Sequence, residues 1–511
     1  LSATFLGGFV LAAYPPADDN ARSLSEDIAK QIAQQYLAQH QIDDVQFRNL
    51  FLDGLAQAHL RFDQVHAGIP VLAGQIIVHV DLNGLETLGA TDARKPAGAI
   101  ATQPSLDASA AVRRVRKAAG VGGRLTAVTE LQIYVSEDGP HLIWHVNLLG
   151  LDRRQLPVDW IGLVDAETGA LLLSYDNLHT KRTDPPPLPT EGEAVTGVAF
   201  TLYLGAVELP TEMYTDGSFG MRDPTRGNNY TTDMLDKRTG DGELFIDADN
   251  LWGDEGDTDR AIAGADAHYA SALTWDYYQE IHGRTGVFDD GKGVLSRVHF
   301  GRDYVNAYWS DACQCVTYGD GDGELASPLV AIDIVAHELT HGVTSATAAL
   351  IYSGESGGLN ESMSDIFATS AEFYADNASD VPDYWLGEQV WTPEIPGDAL
   401  RYMDHPSLDG RSIDHYSQYT RGMDVHLSSG LANNVFYLLS EGGTNDTSGQ
   451  SVPAIGREQA EQIFYRALAA YMTPDTDFAA AKEATVEAAL DLYDGAVAEI
   501  VAAAWAACGV E

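Results

Sequence analysis

Between Ser25 and Ile42 the apolar residues Ile28, Ile32, Tyr36 and Leu37 share one stripe at helical spacing behind a serine cap, which predicts an amphipathic helix. The pattern then changes period. Ala58–Val65 and Gln75–Asp81 are short, β-branched or aromatic, and bounded by Gly and Pro, so both read as strands. A second helix is predicted over Asp107–Ala119. Leu131, Ile133 and Val135 alternate with polar neighbours, Ser136–Pro140 turns the chain, and Leu142, Trp144 and Val146 alternate again, predicting a hairpin. Another joins Trp160–Val164 to Leu171–Tyr175 through Asp165–Gly169. The first 180 or so residues thus read as two small α+β units, 1–100 and 101–182.

From Thr183 to Glu193 the run TDPPPLPTEGE has four prolines and no apolar periodicity, the mark of an extended, protease-accessible linker. We set a boundary at 183–194. Beyond it, residues 195–320 read as short strands and turns around one helix, Ile262–Ile281. From Ile332 onward the pattern is helical: Ile334–Ser345, Glu361–Tyr374, Gly430–Glu441, Arg457–Ala470 and the alanine-rich Phe478–Ala507. The expected fold is α+β throughout, with a β-rich lobe (195–345), an α-helical lobe (346–511) and a site in the cleft between these lobes.

Length supports this division, since 511 residues exceed what one hydrophobic core holds. No apolar stretch is long enough to span a bilayer, and Phe5–Ala13, too short to span, fits the remnant of a secretory apolar segment. The net charge of -45 is unevenly spread. Residues 1–188 carry 21 acids and 15 bases, and 189–511 carry 54 acids and 15 bases. A field of that sign disfavours nucleic acid and anionic membranes and suits solubility in salt or divalent cation binding. Cys313, Cys315 and Cys508 cannot form a disulfide framework, and one thiol is left over whichever pair forms.

Chemistry concentrates at His337-Glu338-Leu339-Thr340-His341, inside an apolar helical run. Residues four apart share a helix face, so both imidazoles reach one metal while Glu338 stands beside it as the base of a metallopeptidase. A hydrolytic zinc needs a third protein ligand and an open position. Glu361, twenty-four residues after His337 in Asn360-Glu361-Ser362-Met363-Ser364-Asp365, is the candidate. Asp365, one turn on, can accept the free N–H of His337 and fix its ring; Asn360 belongs to the same supporting layer.

The stretch VAHELTHGVTSATAALIYSGESGGLNESMSDIFATSAEFYA, with NAYW at Asn306–Trp309, GDALRYM at Gly397–Met403, DVHLSSG at Asp424–Gly430 and IFYRAL at Ile463–Leu468, resembles the thermolysin-like zinc metallopeptidases of the vibriolysin and pseudolysin type. The resemblance spans about residues 195–510. HLRFDQVHAGIPVLAGQIIVHVD resembles the fungalysin/thermolysin propeptide module, and WIGLVDAETGALLLSYD a PepSY module. It implies that Tyr352 and His426 donate to the oxyanion, that Asn306, the backbone of Ala307, and Arg401 hold the substrate backbone, and that Leu329, Ile334 and Leu400 line the pocket after the scissile bond, so that large apolar residues are preferred there. Ala326 replaces an aromatic usual in that wall. It further implies a calcium cluster at Asp333, Glu372, Asp383 and Glu388, with Trp385 where some relatives carry an acid, and secondary calcium sites at Asp247, Asp249, Thr392 and Asp398. Gly319–Gly323 lacks the closing glutamate of an EF-hand and reads as a turn.

The combined expectation is a secreted, monomeric zinc endopeptidase with one zinc and at least one calcium. It is made as a zymogen that cuts itself between about Leu178 and Glu193 and has its own propeptide as inhibitor and folding aid. Its partners are protein and peptide substrates, with no nucleic acid and no membrane. The alternatives are a catalytically silent inhibitor or binding protein built on the N-terminal modules, and a zinc hydrolase of small amides.

Overall fold

The computed structural model describes residues 19–178, 192–253, 260–311 and 313–511. The apolar run Phe5–Ala13 and most of the proline-rich linker lie outside them. The chain forms two compact units, one of residues 1–104 with 131–143 and the other of 105–130 with 144–511.

In the first unit, helix α1 (Asp19–Gln39) lies on strands β1 (Val45–Leu52), β2 (Gln57–His66), β3 (Ile69–Asp81) and β4 (Glu86–Asp92), joined antiparallel in sequence order. The period of two sorts the faces. Leu60, Phe62, Ile76, Val78 and Val80 pack with Ala29, Ala33 and Leu37 of α1. On the other face His59 meets His79 at 2.7 Å and Asp53 at 3.0 Å, and Arg61 donates to Gln75.

In the second unit, helix α2 (Ala108–Ala119) is capped by Asp107, whose carboxylate accepts the Ala110 N–H, and ends at left-handed Gly120. Strands β5 (Gly123–Ser136) and β6 (Gly139–Asp152), whose joining turn falls in the first unit, are followed by the antiparallel pair β7 (Pro157–Asp165) and β8 (Leu171–Asp176). Helix α2 rests on β7 so closely that a Cβ at Gly162 would stand 2.4 Å from a Val115 methyl.

The β-rich part opens with the antiparallel strands β9 (Glu193–Phe200) and β10 (Ala206–Met213). A second sheet runs Asn229–Asp233, Leu295–Val298, Cys315–Tyr318 and, antiparallel to the last, Ala307–Ser310. Helix α3 (Arg260–His282) bonds to α4 (Ile332–Ala346) through Tyr278 and Thr340 at 2.8 Å. Every residue of α4 from Ile332 to Thr344 is buried, including the polar Asp333, His337, Glu338, Thr340 and His341. The remaining helices are α5 (Gly354–Ala375), α6 (Val425–Ser428), α7 (Gly430–Glu441), α8 (Arg457–Arg466), α9 (Phe478–Leu492) and α10 (Gly495–Ala507).

Several boundaries differ from the pattern's prediction, and among the strands β3 begins at Ile69 rather than Gln75 and β5 at Gly123 rather than Leu131. Helix α1 starts at Asp19, so Ser25 is inside it and caps nothing. Helix α5 starts seven residues before Glu361, through Gly357 and Gly358, which a propensity reading rejects. They are glycines because a Cβ at Gly357 would sit 2.4 Å from Val425 and one at Gly358 2.5 Å from Ser428. The long C-terminal helix is two, broken where the Asp494 carboxylate caps α10 through the N–H groups of Ala496 and Val497. Helix α8 gives way at Ala467 to a wider π turn ending at Tyr471. Cys313 and Cys315 are disulfide-bonded, leaving Cys508 as a buried thiol. Residues 319–322 have no regular secondary structure, and the chain bends from Gly323, with Asp322 accepting the N–H groups of Glu324 and Leu325.

Candidate active site and zinc centre

Helix α4 presents His337 and His341 one turn apart, and α5 brings Glu361 against them. The two Nε2 atoms are 3.1 Å apart. One Glu361 oxygen is 3.5 Å from that of His337, the other 3.4 Å from that of His341. Each ring is fixed from behind. Nδ1 of His337 donates to Asp365 at 2.8 Å, and Nδ1 of His341 meets Asn360 Oδ1 at 2.8 Å. The Asn360 orientation follows from its amide nitrogen, which donates to the Leu350 carbonyl. With both Nδ1 atoms protonated, both Nε2 lone pairs converge on one point.

The fit to a metal rests on Glu361. Its side chain is fully buried, and Oε2 has no hydrogen-bond partner. Burial alone would raise its pKa, but His426, His337, His341 and Arg401 outweigh it and hold the group well below the usual carboxylate range. A buried anionic oxygen without a donor, beside two imidazole lone pairs, suits a divalent cation with mixed nitrogen and oxygen ligands.

Glu338 lies on the same helix but points to the edge strand Ala307–Ser310, where the Trp309 N–H donates to it at 2.8 Å. Burial pushes its carboxyl up to about 7, with His337 opposing and Glu361 adding to the rise. Tyr352 donates to Glu361 and stands 3.2 Å from His426 Nε2, whose other ring nitrogen meets Asp424 at 2.8 Å. These groups line a cleft of about 370 Å³ together with Asn306, Ala307, Leu329, Ile334, Leu400 and Arg401, so the residues expected to bind substrate come together here.

Some of the surroundings were not legible in the sequence. Arg401 turns its fork onto Asp365, donating from Nε at 2.8 Å and Nη2 at 2.6 Å. Asn433 of α7 also donates to Asp365, and Ser364 lies 3.1 Å from His341 Nδ1. Ala326 is buried and bridges to Trp391, which lines the cleft beside Leu386. Asp176 and Leu178, at and just past the end of β8, line it too.

A second cluster lies behind α5, where Glu372, Asp380 and Glu388 bring one oxygen each within 4.8 Å of the others. Asp380 had no place in the expected set. Burial and the facing acids push Glu372 to about 12 and Glu388 to about 9. Neither oxygen of Glu372 has a partner. Asp333 accepts the N–H groups of Gly387 and Ile334, and Asp383 that of Trp385. Trp385 turns its ring onto Tyr402, 5.3 Å between centroids. The secondary candidates serve local bonds: Asp247 accepts from Asp249 and Asn250, Asp249 from Leu251, and Thr392 donates to Asp398. None of the four joins a cluster of metal-binding size among the described residues.

Comparison with known proteins matches residues 196–345 to the family "Thermolysin metallopeptidase, catalytic domain" and 348–510 to "Thermolysin metallopeptidase, alpha-helical domain". The chain belongs to the thermolysin family. It is a zinc metalloendopeptidase by that membership, and residues 52–85 match the "Fungalysin/Thermolysin Propeptide Motif". It is 39% identical over 471 residues to the transglutaminase-activating metalloprotease of Streptomyces mobaraensis, covering 88% of this chain and 59% of that protein. It is 37% identical over 473 residues to thermolysin of Alicyclobacillus acidocaldarius subsp. acidocaldarius, covering 88% and 82%. Among solved structures, the precursor of protealysin, a metalloproteinase from Serratia proteamaculans, is 27% identical with a TM-score of 0.47, covering 64% of this chain and 91% of that one. No helix among the described residues is long and apolar enough to cross a membrane.

Proposed function

We propose that this thermolysin-family chain is the precursor of a secreted, monomeric endopeptidase that binds one zinc through His337, His341 and Glu361, and whose first 182 residues are removed by self-processing. The approach of the two Nε2 atoms to the carboxylate of Glu361, one oxygen of which has no hydrogen-bond partner, carries the reading. When bound, zinc supplies an acidified water and a polarised carbonyl. Glu338 takes the proton and returns it to the leaving amine, and its raised pKa near neutrality suits both directions of transfer. Tyr352 and His426 donate to the oxyanion, and Asn306 and the Ala307 backbone align the peptide. Arg401 acts both there and as the clamp on Asp365. Leu329, Ile334 and Leu400, with Trp391 closing the side that Ala326 leaves open, select a large apolar residue after the scissile bond.

Calcium fits the carboxylates of Glu372, Asp380 and Glu388, with Asp333 and Asp383 beside them, since hard oxygen ligands without a base need a cation. Residues 1–100 and 101–182 serve as inhibitor and folding aid, the second in a PepSY-like role, and the cut falls between about Leu178 and Glu193. Casein hydrolysis by the matured enzyme, abolished by a zinc chelator and restored by zinc, tests the activity. A chelator-resistant activity rejects it.

A further inference from the structure

All the groups used here belong to the second unit. Strand β8 ends at Asp176, and from there the chain enters the wall of the cleft through Leu178. Asn177, between them, is tied to β7 twice, its backbone N–H donating to the Asp159 carbonyl at 2.6 Å and its amide to the Asp159 carboxyl at 3.4 Å. Asp159 is 2% exposed, and its Oδ1 has no hydrogen-bond partner. The titratable groups that face it are Asp176 and the Tyr175 hydroxyl on its own hairpin and Asp311 from the β-rich lobe, with the Asn147 amide close enough to favour its ionised form. Asp311 is itself tethered, accepting from the Trp309 indole at 2.7 Å and the Ser345 hydroxyl at 3.0 Å.

We propose that Asp159 is a protonation-controlled latch: with its carboxyl neutral Asp176–Leu178 stay in the cleft, and its ionisation facing the carboxylates of Asp176 and Asp311 drives them out. The proposal rests on the reading of the N-terminal region as an inhibitor of the same site. The Asn177 and Asn147 amides favour the ionised form, but a buried carboxylate facing two like charges is costly. Burial first, and then those charges, push the group up to about 8. The released segment gives Asp159 back to water and an ordinary acidic pKa. The closed form therefore binds a proton that the open form has lost, so closure is favoured at low pH and weakens as pH rises toward 8.

The test uses the zinc-loaded full chain with Glu338→Ala, which cannot cut itself, and a dye-labelled dipeptide hydroxamate as probe of the open cleft. Mature wild-type enzyme at each pH sets the open-cleft affinity. Between pH 6 and pH 9 the full chain should gain about tenfold or more in relative affinity, Asp159→Asn should stay closed, and Asp311→Asn should open at a higher pH than the parent. If Asp159→Asn does not fold, the Asp311→Asn midpoint decides. Weak binding at all pH values with neither variant shifting the curve overturns the latch and leaves the inhibitor reading intact. Binding as tight as to mature enzyme at every pH removes the inhibitor reading, and the latch with it.

Discussion

His341 and Asp365 touch the same centre in different ways, and their removal should differ in kind. Replacing His341 by Ala deletes one of three ligands, so elemental analysis should find the zinc lost. Asp365→Asn keeps all three but weakens the bond that orients His337, and should raise the zinc dissociation constant by about 10–100-fold in competition with a chelating dye. Glu338→Ala should retain zinc and lose about 100-fold or more in kcat. Full zinc in His341→Ala would sink the ligand assignment. His337, Glu338 and His341 were legible because helical periodicity converts spacing into proximity, and Glu361 and Asp365 because they share a helix face one turn apart within the stretch that carried the family resemblance. Asn433 and Asp380 were not, since each reaches its partner through the tertiary fold and carries no local pattern.

At the scale of elements, legibility followed the strength of local signals. Helices α2 and α7 were foreseen within a residue, because an Asp cap and a Gly stop frame the first and an apolar stripe fills the second. The start of α5 was hidden, because tertiary contact demands glycine where helix propensity disfavours it. Gly357→Ala would gain helix propensity but puts a methyl 2.4 Å from Val425, the neighbour of His426. Overpacking of this kind costs about 1–3 kcal/mol, more than the propensity gain of about 1 kcal/mol. The variant should therefore unfold at lower urea, with KM and kcat both altered. Equal or greater stability would mean that α6 yields more readily than its packing implies.

For the whole molecule, the acidic surplus of residues 189–511 makes cations part of the folding equilibrium. Calcium that binds only the folded form should raise the melting temperature of the mature enzyme at saturating zinc. Asp380→Asn should shrink that rise, because it removes one of three converging carboxylates. An unchanged calcium response in this variant would leave Asp380 outside the site. Maturation is a property of the full chain as well: purified Glu338→Ala should persist at full length, whereas the wild type yields a fragment of about 320 residues. Processing of Glu338→Ala at the wild-type rate, with no other protease present, would exclude self-cleavage.

The carboxylate of Asp365 gathers α4 through His337, α7 through Asn433 and the substrate wall through Arg401. An interaction that draws the guanidinium toward a peptide carbonyl redistributes the negative charge felt by the imidazole of a metal ligand. Binding equilibria joined in this way obey reciprocity: whatever factor substrate exerts on zinc affinity, zinc must exert on substrate affinity. In its proposed role Arg401 would thereby make occupancy of the cleft and retention of the metal two readings of one coupling free energy.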